Sequence, residues 1–343
     1  MSPTSSGVRT RVAENLNQAL HRAFAADESL QLFGEDVEDP YGGAFKATRG
    51  LSTSYPGRVI STPLSESGIL GVGAGYALAG GRAIVEVMFG DFLLLGLDPL
   101  INFASKSVGM YGSPQSVPLV VRCPVGGNRG YGPTHSQHPS KHLIGVPHLA
   151  LYEMSPLHDI ATTFDRLLSL GTPAVYFEDK VLYTQQMCRD GRVDDIFRFD
   201  HIGSDRGIAR VYVDDPDEYR HVIVAPGGLT FRALDAMRRL LLEDEIECVL
   251  LVPSRLYPLD VEPMLPLLTR AEKILVVEES PPGGTWATEL AHVVTERLWG
   301  RLTRPVQVLH SQMSIIPTAR HLESRILVQA NDIYQALIGG ADG

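Results

Sequence analysis

Glu66 is the residue whose place in the sequence most suggests chemistry. It follows a β-branched run at residues 59–62, which predicts a short buried strand. Ser65 is predicted to cap a Gly/Ala-rich helix that ends at Gly80 and Gly81. Because ligands gather at the carboxyl ends of strands in parallel sheets, this strand-to-helix turn is a suitable position for a reacting carboxyl group.

Two roles for Glu66 remain open from the residues alone. In the first turn of a helix, its carboxylate can simply stabilise the helix dipole, by about 0.3 to 1 kcal/mol. Alternatively, burial raises a carboxyl pKa by up to about 3 to 5 units, which a helix terminus of that strength cannot offset. If the helix lies in a subunit interface, Glu66 would be neutral at pH 7 and able to donate a hydrogen bond.

The helix after Glu66 contains glycines at positions 68, 71, 73 and 75. Each costs about 1 kcal/mol relative to alanine inside a helix, so their presence predicts close approach of another backbone and a candidate subunit interface. The dinucleotide pattern G-x-G-x-x-G fails in every register of this stretch. The following strand, predicted at residues 83–89, completes a β-α-β unit of a parallel sheet.

A second candidate region is the glycine-rich loop that carries His135, His138 and His142. Pro139 interrupts any helix that would align the three rings, and no nearby cysteine completes a ligand set, so no metal site is predicted. A single catalytic or substrate-anchoring histidine is the functional alternative to three solvent-exposed rings.

The composition favours an ordinary globular enzyme. The chain has 343 residues and a net charge of -10, with no basic cluster to hold nucleic acid and no apolar run long enough to cross a membrane. Its polar N-terminal stretch lacks the apolar core of a signal peptide, so a cytoplasmic location is expected. Three separated cysteines, Cys123, Cys188 and Cys248, fit neither a disulfide framework nor a zinc pattern.

Two α/β domains are predicted from the alternation of strand and helix patterns. Residues 1–190 form the first, residues 191–207 a charged linker, and residues 208–343 a smaller second domain. The first domain should open with an amphipathic helix at residues 9–26. Strands are predicted in the second domain at HVIVAPGG, CVLLVPS, KILVVEES and VQVLHS, with helices beginning near Leu229, Leu259, Thr285 and Leu322.

Several motifs occur in an order that resembles a known family. The first domain contains LFGEDVEDPYGGAFKATRGL, ISTPLSESGILGVGAGYALAG, EVMFGDF, VPLVVRCPVGG, THSQ and YFEDKVLY. The second contains VPSRLYPLD, VVEESPPGGTWATEL and IIPTARHLE. Together they resemble the beta subunit of the thiamine-diphosphate-dependent 2-oxoacid dehydrogenases of the pyruvate and branched-chain types, over almost the whole chain.

The resemblance implies a pyrimidine-binding domain with a parallel sheet flanked by helices, then a smaller transketolase C-terminal-type domain. It also implies a heterotetramer of two alpha and two beta chains that shares thiamine diphosphate at the alpha-beta interface. The family's Gly-Asp-Gly motif for diphosphate and Mg2+ is absent, since Gly90 and Asp91 are followed by Phe92. The alpha subunit is therefore expected to bring the metal ion.

Residue roles also follow from the resemblance. Glu66 resembles the glutamate that hydrogen-bonds the cofactor's pyrimidine ring, and Phe92 the aromatic residue packed against that ring. His135 resembles the histidine that faces the 2-oxo acid and the incoming acyl acceptor. Glu35 resembles an acid in the water-lined tunnel that joins two active sites, and Leu95 stands where some members have Gln or an acid.

The implied function is decarboxylation of a small 2-oxo acid and transfer of the acyl group to a lipoyl carrier, for which a lipoyl acyltransferase is a candidate partner. The unusual His138, and the lack of bulky aromatic residues soon after THSQ, leave open a transketolase-like or acyloin-forming enzyme with a small-molecule acceptor. A non-catalytic scaffold subunit is the third alternative. The sequence does not name the 2-oxo acid or assign roles to His138 and His142.

Overall fold

The computed structural model describes residues 10–339 of the chain. The expectations about the polar N-terminal stretch and the first residue of the predicted opening helix lie on residues 1–9, outside the described part, as do residues 340–343. Within residues 10–339, no helix is both long enough and apolar enough to cross a membrane.

Thirteen strands are present in the described residues. They are β1 (Leu30–Gly34), β2 (Val59–Ser61), β3 (Arg82–Glu86), β4 (Leu119–Val125), β5 (Ala150–Glu153), β6 (Ala174–Asp179), β7 (Arg198–Ile202), β8 (Ile208–Tyr212), β9 (His221–Val224), β10 (Cys248–Pro253), β11 (Arg255–Tyr257), β12 (Lys273–Glu278) and β13 (Gln307–His310).

The helices pack on the faces of the two sheets that these strands form. They are α1 (Val12–Ala26), α2 (Leu51–Ser54), α3 (Glu66–Leu78), α4 (Gly90–Leu93), α5 (Ile160–Ser169), α6 (Thr230–Asp244), α7 (Leu265–Arg270), α8 (Trp286–Arg297), α9 (Arg320–Ile326) and α10 (Ala330–Ile338). A π-helical segment, Asp98–Ser105, follows α4 and packs against α3.

The first sheet has seven strands in the order β11-β5-β6-β4-β3-β1-β2. All pairings among β1 to β6 are parallel, and only β11 joins antiparallel, at the edge next to β5. The second sheet has six strands in the order β13-β12-β9-β10-β8-β7, parallel from β13 to β10 and antiparallel at β8 and β7. The α/β architecture predicted for both halves is therefore confirmed.

Most predicted elements are present, with identifiable differences. The predicted opening helix is present as α1, and all four predicted strands of the second half exist. The apolar residues at helical spacing in α1 are buried, namely Val12, Leu16, Ala19, Leu20 and Ala23. The run at residues 59–62 is a strand but not a buried one: β2 is the edge strand of its sheet, and only Val59 is buried whereas Ser61 is exposed. Edge position follows from long-range pairing, which the local pattern does not report.

The predicted linker at residues 191–207 is not free of regular structure. It contains β7, which pairs antiparallel with β8 and closes one edge of the second sheet. Strand β11, from the second half of the chain, crosses to the first sheet and pairs with β5. The two sheets are thus connected both by the continuous chain and by β11, which belongs to the second half of the sequence but pairs within the first sheet. The proposed domain limits remain predictions.

A buried ion cluster ties three neighbouring strands of the first sheet together. Arg122 on β4 donates to Glu86 on β3 (2.5 Å) and, through two nitrogens, to Glu178 on β6 (2.7 and 2.9 Å). Tyr183 donates to Glu178 at 2.6 Å, and the amide of Ala44 donates to Glu86 at 2.7 Å. The second of these bonds fixes the loop at residues 39–50 against the sheet.

Candidate active site

The four residues singled out by the sequence follow four neighbouring parallel strands. Glu66 comes after β2, Glu35 after β1, Phe92 after β3 and His135 after β4, and these strands lie side by side in the order β4-β3-β1-β2. Since the strands are parallel, their carboxyl ends share one edge of the sheet. The sequence positions therefore converge on the edge where α/β proteins bind ligands.

Glu66 is the first residue of α3 and is half-buried in this chain. Ser65 occupies the N-cap position as predicted, although its side chain makes no capping hydrogen bond. The flanking surface is apolar and open: Leu64 and Val72 are 81% and 57% exposed. Exposed apolar patches of this kind mark interaction sites.

The glycines of α3 separate into two groups. A Cβ atom at Gly73 would lie 2.4 Å from Val85 of β3, so this glycine permits close packing of the helix on its own sheet. Gly71 and Gly75 have nothing within 4 Å of the position a Cβ would take. The backbone approach predicted for these two positions is thus not made within the described residues, and that face of the helix is available to another chain.

Glu35 lies beside Glu66 in a more enclosed position. Only 6% of the residue is exposed, and Oε1 has no hydrogen-bond partner among residues 10–339. Burial raises the pKa of Glu35 above its usual value, and the nearby Glu66 carboxylate raises it further. Glu35 therefore favours retention of a proton.

Phe92 and His135 meet in a cluster of aromatic rings. Their ring centres are 5.2 Å apart in an edge-to-face arrangement, and Phe89 lies 4.7 Å from His135 and 6.1 Å from Phe92. Tyr131 packs on Phe89 at 6.1 Å. The hydroxyl of Thr134 lies 2.9 Å from Nδ1 of His135, which leaves Nε2 as the nitrogen not engaged by this contact.

Lys180 supports this cluster from within the protein. Its Nζ lies 5.7 Å from the centre of the Phe89 ring, is fully buried, and has no hydrogen-bond partner among the described residues. Burial lowers the pKa of Lys180, although Asp179 and Glu279 oppose that effect. No sequence pattern connects Lys180 with His135, because the two side chains are linked only through the ring of Phe89.

The three loop histidines do not share a site. The ring of His138 contacts Glu153 on β5, with its Nε2 3.1 Å from Oε2 of that residue, while His142 is exposed. Burial lowers the pKa of His138, but the Glu153 carboxylate outweighs burial and the net pKa is raised. Within residues 10–339, no group of three or more His, Cys, Asp or Glu side chains could hold a metal ion.

An acidic cluster around His138 was not anticipated. Glu153 also accepts the amide hydrogen of Gly228 at 2.9 Å, and Glu279 is paired with Arg232 at 2.6 Å. Asp179 lies in the same region, and burial, together with the charge of Glu279, raises its pKa to about 7. The acid pairs in YFEDK and VVEES were the available signals, but each looks like an ordinary strand end.

Comparisons with known proteins agree with this geometry. The family model for the pyrimidine-binding domain of transketolase matches residues 8–184, and that for the transketolase C-terminal domain matches residues 212–333. A solved structure described as a split-gene transketolase, inactive beta4 tetramer, shares the fold with a TM-score of 0.68 and 16% identity, covering 95% of this chain and 96% of that one. Fold and site thus define a transketolase-like α/β protein.

Relatives narrow the class. The beta subunit of the pyruvate dehydrogenase E1 component from Leifsonia xyli subsp. xyli is 30% identical over 94% of this chain and 92% of that protein. The beta subunit of acetoin:2,6-dichlorophenolindophenol oxidoreductase from Bacillus subtilis is 27% identical over 95% and 96%. The chain belongs to the family of 2-oxoacid dehydrogenase E1 beta subunits, as the ordered motifs predicted.

Proposed function

We propose that this chain acts with an alpha subunit to decarboxylate a small 2-oxo acid and transfer the acyl group to a lipoyl carrier. One observation carries the proposal: Glu66, Glu35, Phe92 and His135 follow four adjacent parallel strands at a single edge of the first sheet. The names of the pyruvate dehydrogenase relatives support this activity.

The residues at this edge fit the pyrimidine end of thiamine diphosphate. When bound, that cofactor supplies a carbon nucleophile for the keto group and a sink for the electron pair left as CO2 departs. The carboxyl group of Glu66 would hydrogen-bond a ring nitrogen and exchange a proton with it, and Phe92 would pack on the ring. Glu35, whose pKa is raised by burial and by Glu66, is suited to hold a proton nearby.

His135 is placed to serve the second half of the reaction. Its imidazole is confined between two phenyl rings and contacts Thr134 through Nδ1, which leaves Nε2 to donate or accept a proton. Acyl transfer to a lipoyl disulfide requires a proton at the departing sulfur. A confined imidazole can deliver that proton without waiting for solvent.

The chain supplies half of such a site. The sequence Gly90-Asp91-Phe92 offers no diphosphate and Mg2+ motif, so these groups are assigned to the alpha subunit. Leu64, Val72 and Leu95, exposed by 81%, 57% and 62%, form the open apolar face that the alpha subunit would cover. Two copies of each chain would complete a heterotetramer.

The test is co-expression with a matching alpha subunit and measurement of thiamine-diphosphate-dependent CO2 release. Glu66→Gln should lower kcat for decarboxylation about 100- to 10,000-fold, because the amide cannot exchange the required proton. Glu296→Gln, at an exposed position on α8, is the matched control and should match the wild type. Unchanged turnover in Glu66→Gln would remove this residue from the reaction.

An acyloin-type enzyme is the second candidate. Relatives from Bacillus subtilis and Cupriavidus necator are named as acetoin:2,6-dichlorophenolindophenol oxidoreductase beta subunits, at 27% and 28% identity. Product analysis with pyruvate and with acetoin, each in the presence and absence of a lipoyl domain, separates the lipoyl-dependent enzyme from the acyloin-type enzyme.

We also propose a cytoplasmic location for the protein, which cell fractionation would test.

A further inference from the structure

The loop that carries His135 has an unusual backbone. Gly126, Asn128, Gly130 and Gly132 all have positive φ, between 61° and 84°. Few backbone hydrogen bonds hold it from within, those of Gly126 to Gln137 and of His135 to Gly132 being long, at 3.3 and 3.4 Å. A segment with this backbone needs contacts from outside to keep one conformation.

Those contacts come from the second half of the chain. Glu279 accepts the amide hydrogen of Gly127 at 2.7 Å, and Glu323 accepts that of Gly130 at 3.0 Å. The positions are 152 and 193 residues apart in the sequence, respectively. Packing is equally close, because a Cβ atom at Gly127 would lie 2.2 Å from Leu327. Both buried carboxylates therefore fasten the loop to the second domain.

Of the two carboxyl groups, that of Glu323 is engaged more exclusively with the loop. It lies on α9, is 1% exposed, and makes no ion pair with a described residue, whereas Glu279 is paired with Arg232. Its Oε1 has no partner among residues 10–339, so its hydrogen bond to Gly130 is made by Oε2 alone. Withdrawing this oxygen would leave the partly buried amide of Gly130 without an acceptor, which costs more than a solvent-exposed hydrogen bond would.

Gly130 is connected to His135 through a series of packed aromatic rings. The next residue, Tyr131, packs on Phe89, and Phe89 packs on His135, with ring centres 6.1 and 4.7 Å apart. A shift of Gly130 would therefore move a ring that confines the imidazole. Misplacement of a catalytic group by about 1 Å can cost about 100-fold in rate.

We propose that Glu323 is a positioning residue that holds the Gly130 amide and thereby sets the place of the His135 imidazole for acyl transfer. The effect of Glu323 on the loop follows from the geometry alone. Its effect on the rate of acyl transfer rests on the proposed function. What matters is the reach of the acceptor oxygen to Gly130, and the negative charge is secondary.

Two variants separate reach from charge. Glu323→Gln keeps an acceptor oxygen at the same distance and removes the charge, whereas Glu323→Asp keeps the charge and withdraws the oxygen by one methylene. Asp205→Asn is the control, because Asp205 pairs with Arg166 of α5 across the two halves of the chain without touching the loop. All are studied in the assembled complex with the alpha subunit.

Hydrogen exchange of residues 126–135, followed by mass spectrometry, reports on the conformational stability of the loop independently of catalytic activity. Exchange in Glu323→Asp should be about tenfold faster than in the wild type, Glu323→Gln and Asp205→Asn. Equal exchange in Glu323→Asp and the wild type, or fast exchange in Glu323→Gln alone, would overturn the inference.

Kinetics then test the consequence. Glu323→Asp should lower kcat for acyl transfer to a lipoyl domain about 10- to 100-fold with little change in KM, while decarboxylation measured with an artificial electron acceptor stays near the wild type. An equal loss in both half-reactions would refute positioning of His135. If the wild type itself releases no CO2, the proposed function fails, and the exchange result still decides whether Glu323 holds the loop.

Discussion

The two sides of the candidate site differ in how complete they are within one chain. On the Glu66 side, the edge strand β2 and the helix α3 present exposed apolar side chains and glycines with open space beside them. On the His135 side, the loop is held by buried carboxylates and confined by aromatic rings. The Glu66 side is open to a partner chain, whereas the His135 side is held by contacts from the second domain of the same chain.

This difference indicates how an active site shared by two subunits could be divided between them. Under the proposed function, the carboxyl group of Glu66 would be enclosed only when the alpha subunit covers this face, so the chain alone should not release CO2. The His135 side needs no contact from another chain, because the residues that hold its loop belong to the same polypeptide. Stability and assembly should therefore respond to different residues on the two sides.

The largest effect on stability is expected at the His135 side. Arg232→Met removes the ion-pair partner of Glu279, whose carboxylate remains buried, and should lower the free energy of unfolding by about 3–5 kcal/mol. Arg22→Met, which breaks a pair with both side chains about half exposed, is the control and should cost about 0.2–1 kcal/mol. Equal costs in urea denaturation would show that Glu279 is not held as described.

On the Glu66 side, the large effect should fall on assembly. Val72→Asp places a charge in the open face of α3 and should weaken association with the alpha subunit about 100-fold, since an unpaired charge would be buried. The free energy of unfolding of the isolated chain should change by less than about 0.5 kcal/mol. Val72→Ala is the milder control. Wild-type affinity for Val72→Asp in calorimetry would place the interface elsewhere.

The pH dependence of unfolding should reflect the acidic cluster of the His135 side. His138 and Asp179 both have raised native pKa values, that of Asp179 about 7, so the native state holds protons that the unfolded state has released. The stability that these two groups contribute is fully present below their unfolded-state pKa values and is lost as pH rises through their folded-state values, which for Asp179 means between 3.8 and about 7. The slope should approach about 1.4 kcal/mol per pH unit for each such proton.

Asp179→Asn tests that slope directly. Removing the titrating carboxyl should flatten the curve of unfolding free energy between about pH 4 and pH 7, and Asp165→Asn, at an exposed position on α5, should leave it unchanged. A curve for Asp179→Asn with the same slope as the wild type over this range would mean that Asp179 is already ionised in the folded state.

The smallest effect is expected next to His135 itself. Thr134→Val removes the hydroxyl that contacts Nδ1 and should lower kcat for acyl transfer about 3- to 10-fold, because the imidazole loses one constraint on its tautomer. Thr134→Ser keeps the hydroxyl and should retain most of the rate. Decarboxylation, which depends on the other side of the site, should be unaffected in both variants.

Much of the fold could be predicted because it is written in local patterns. The apolar spacing of α1 and the β-branched runs of the second sheet depend on residues a few positions apart. Glu66 was singled out for a related reason, since it follows a strand and precedes a helix within one short stretch, whereas Glu35 and Phe92 came from the family resemblance; their roles stay predictions. The ordered motifs then supplied the family, which the matches to both transketolase domains confirm.

Other features escaped because they depend on partners distant in sequence. The edge position of β2, the strand β7 inside the predicted linker and the pairing of β11 with β5 are all set by which strands meet. The same holds for Lys180 behind Phe89. None of these alters the local residue pattern, so no pattern could report them.

The sequence by itself determined the order of strands and helices, the residue types available for chemistry and the absence of a diphosphate motif. Only the tertiary structure decided that Glu323 holds Gly130 and that the helix after Glu66 keeps an open face. The physical reason is that propensity and periodicity act over a few residues, whereas hydrogen bonds and packing between distant segments exist only after the chain has closed on itself.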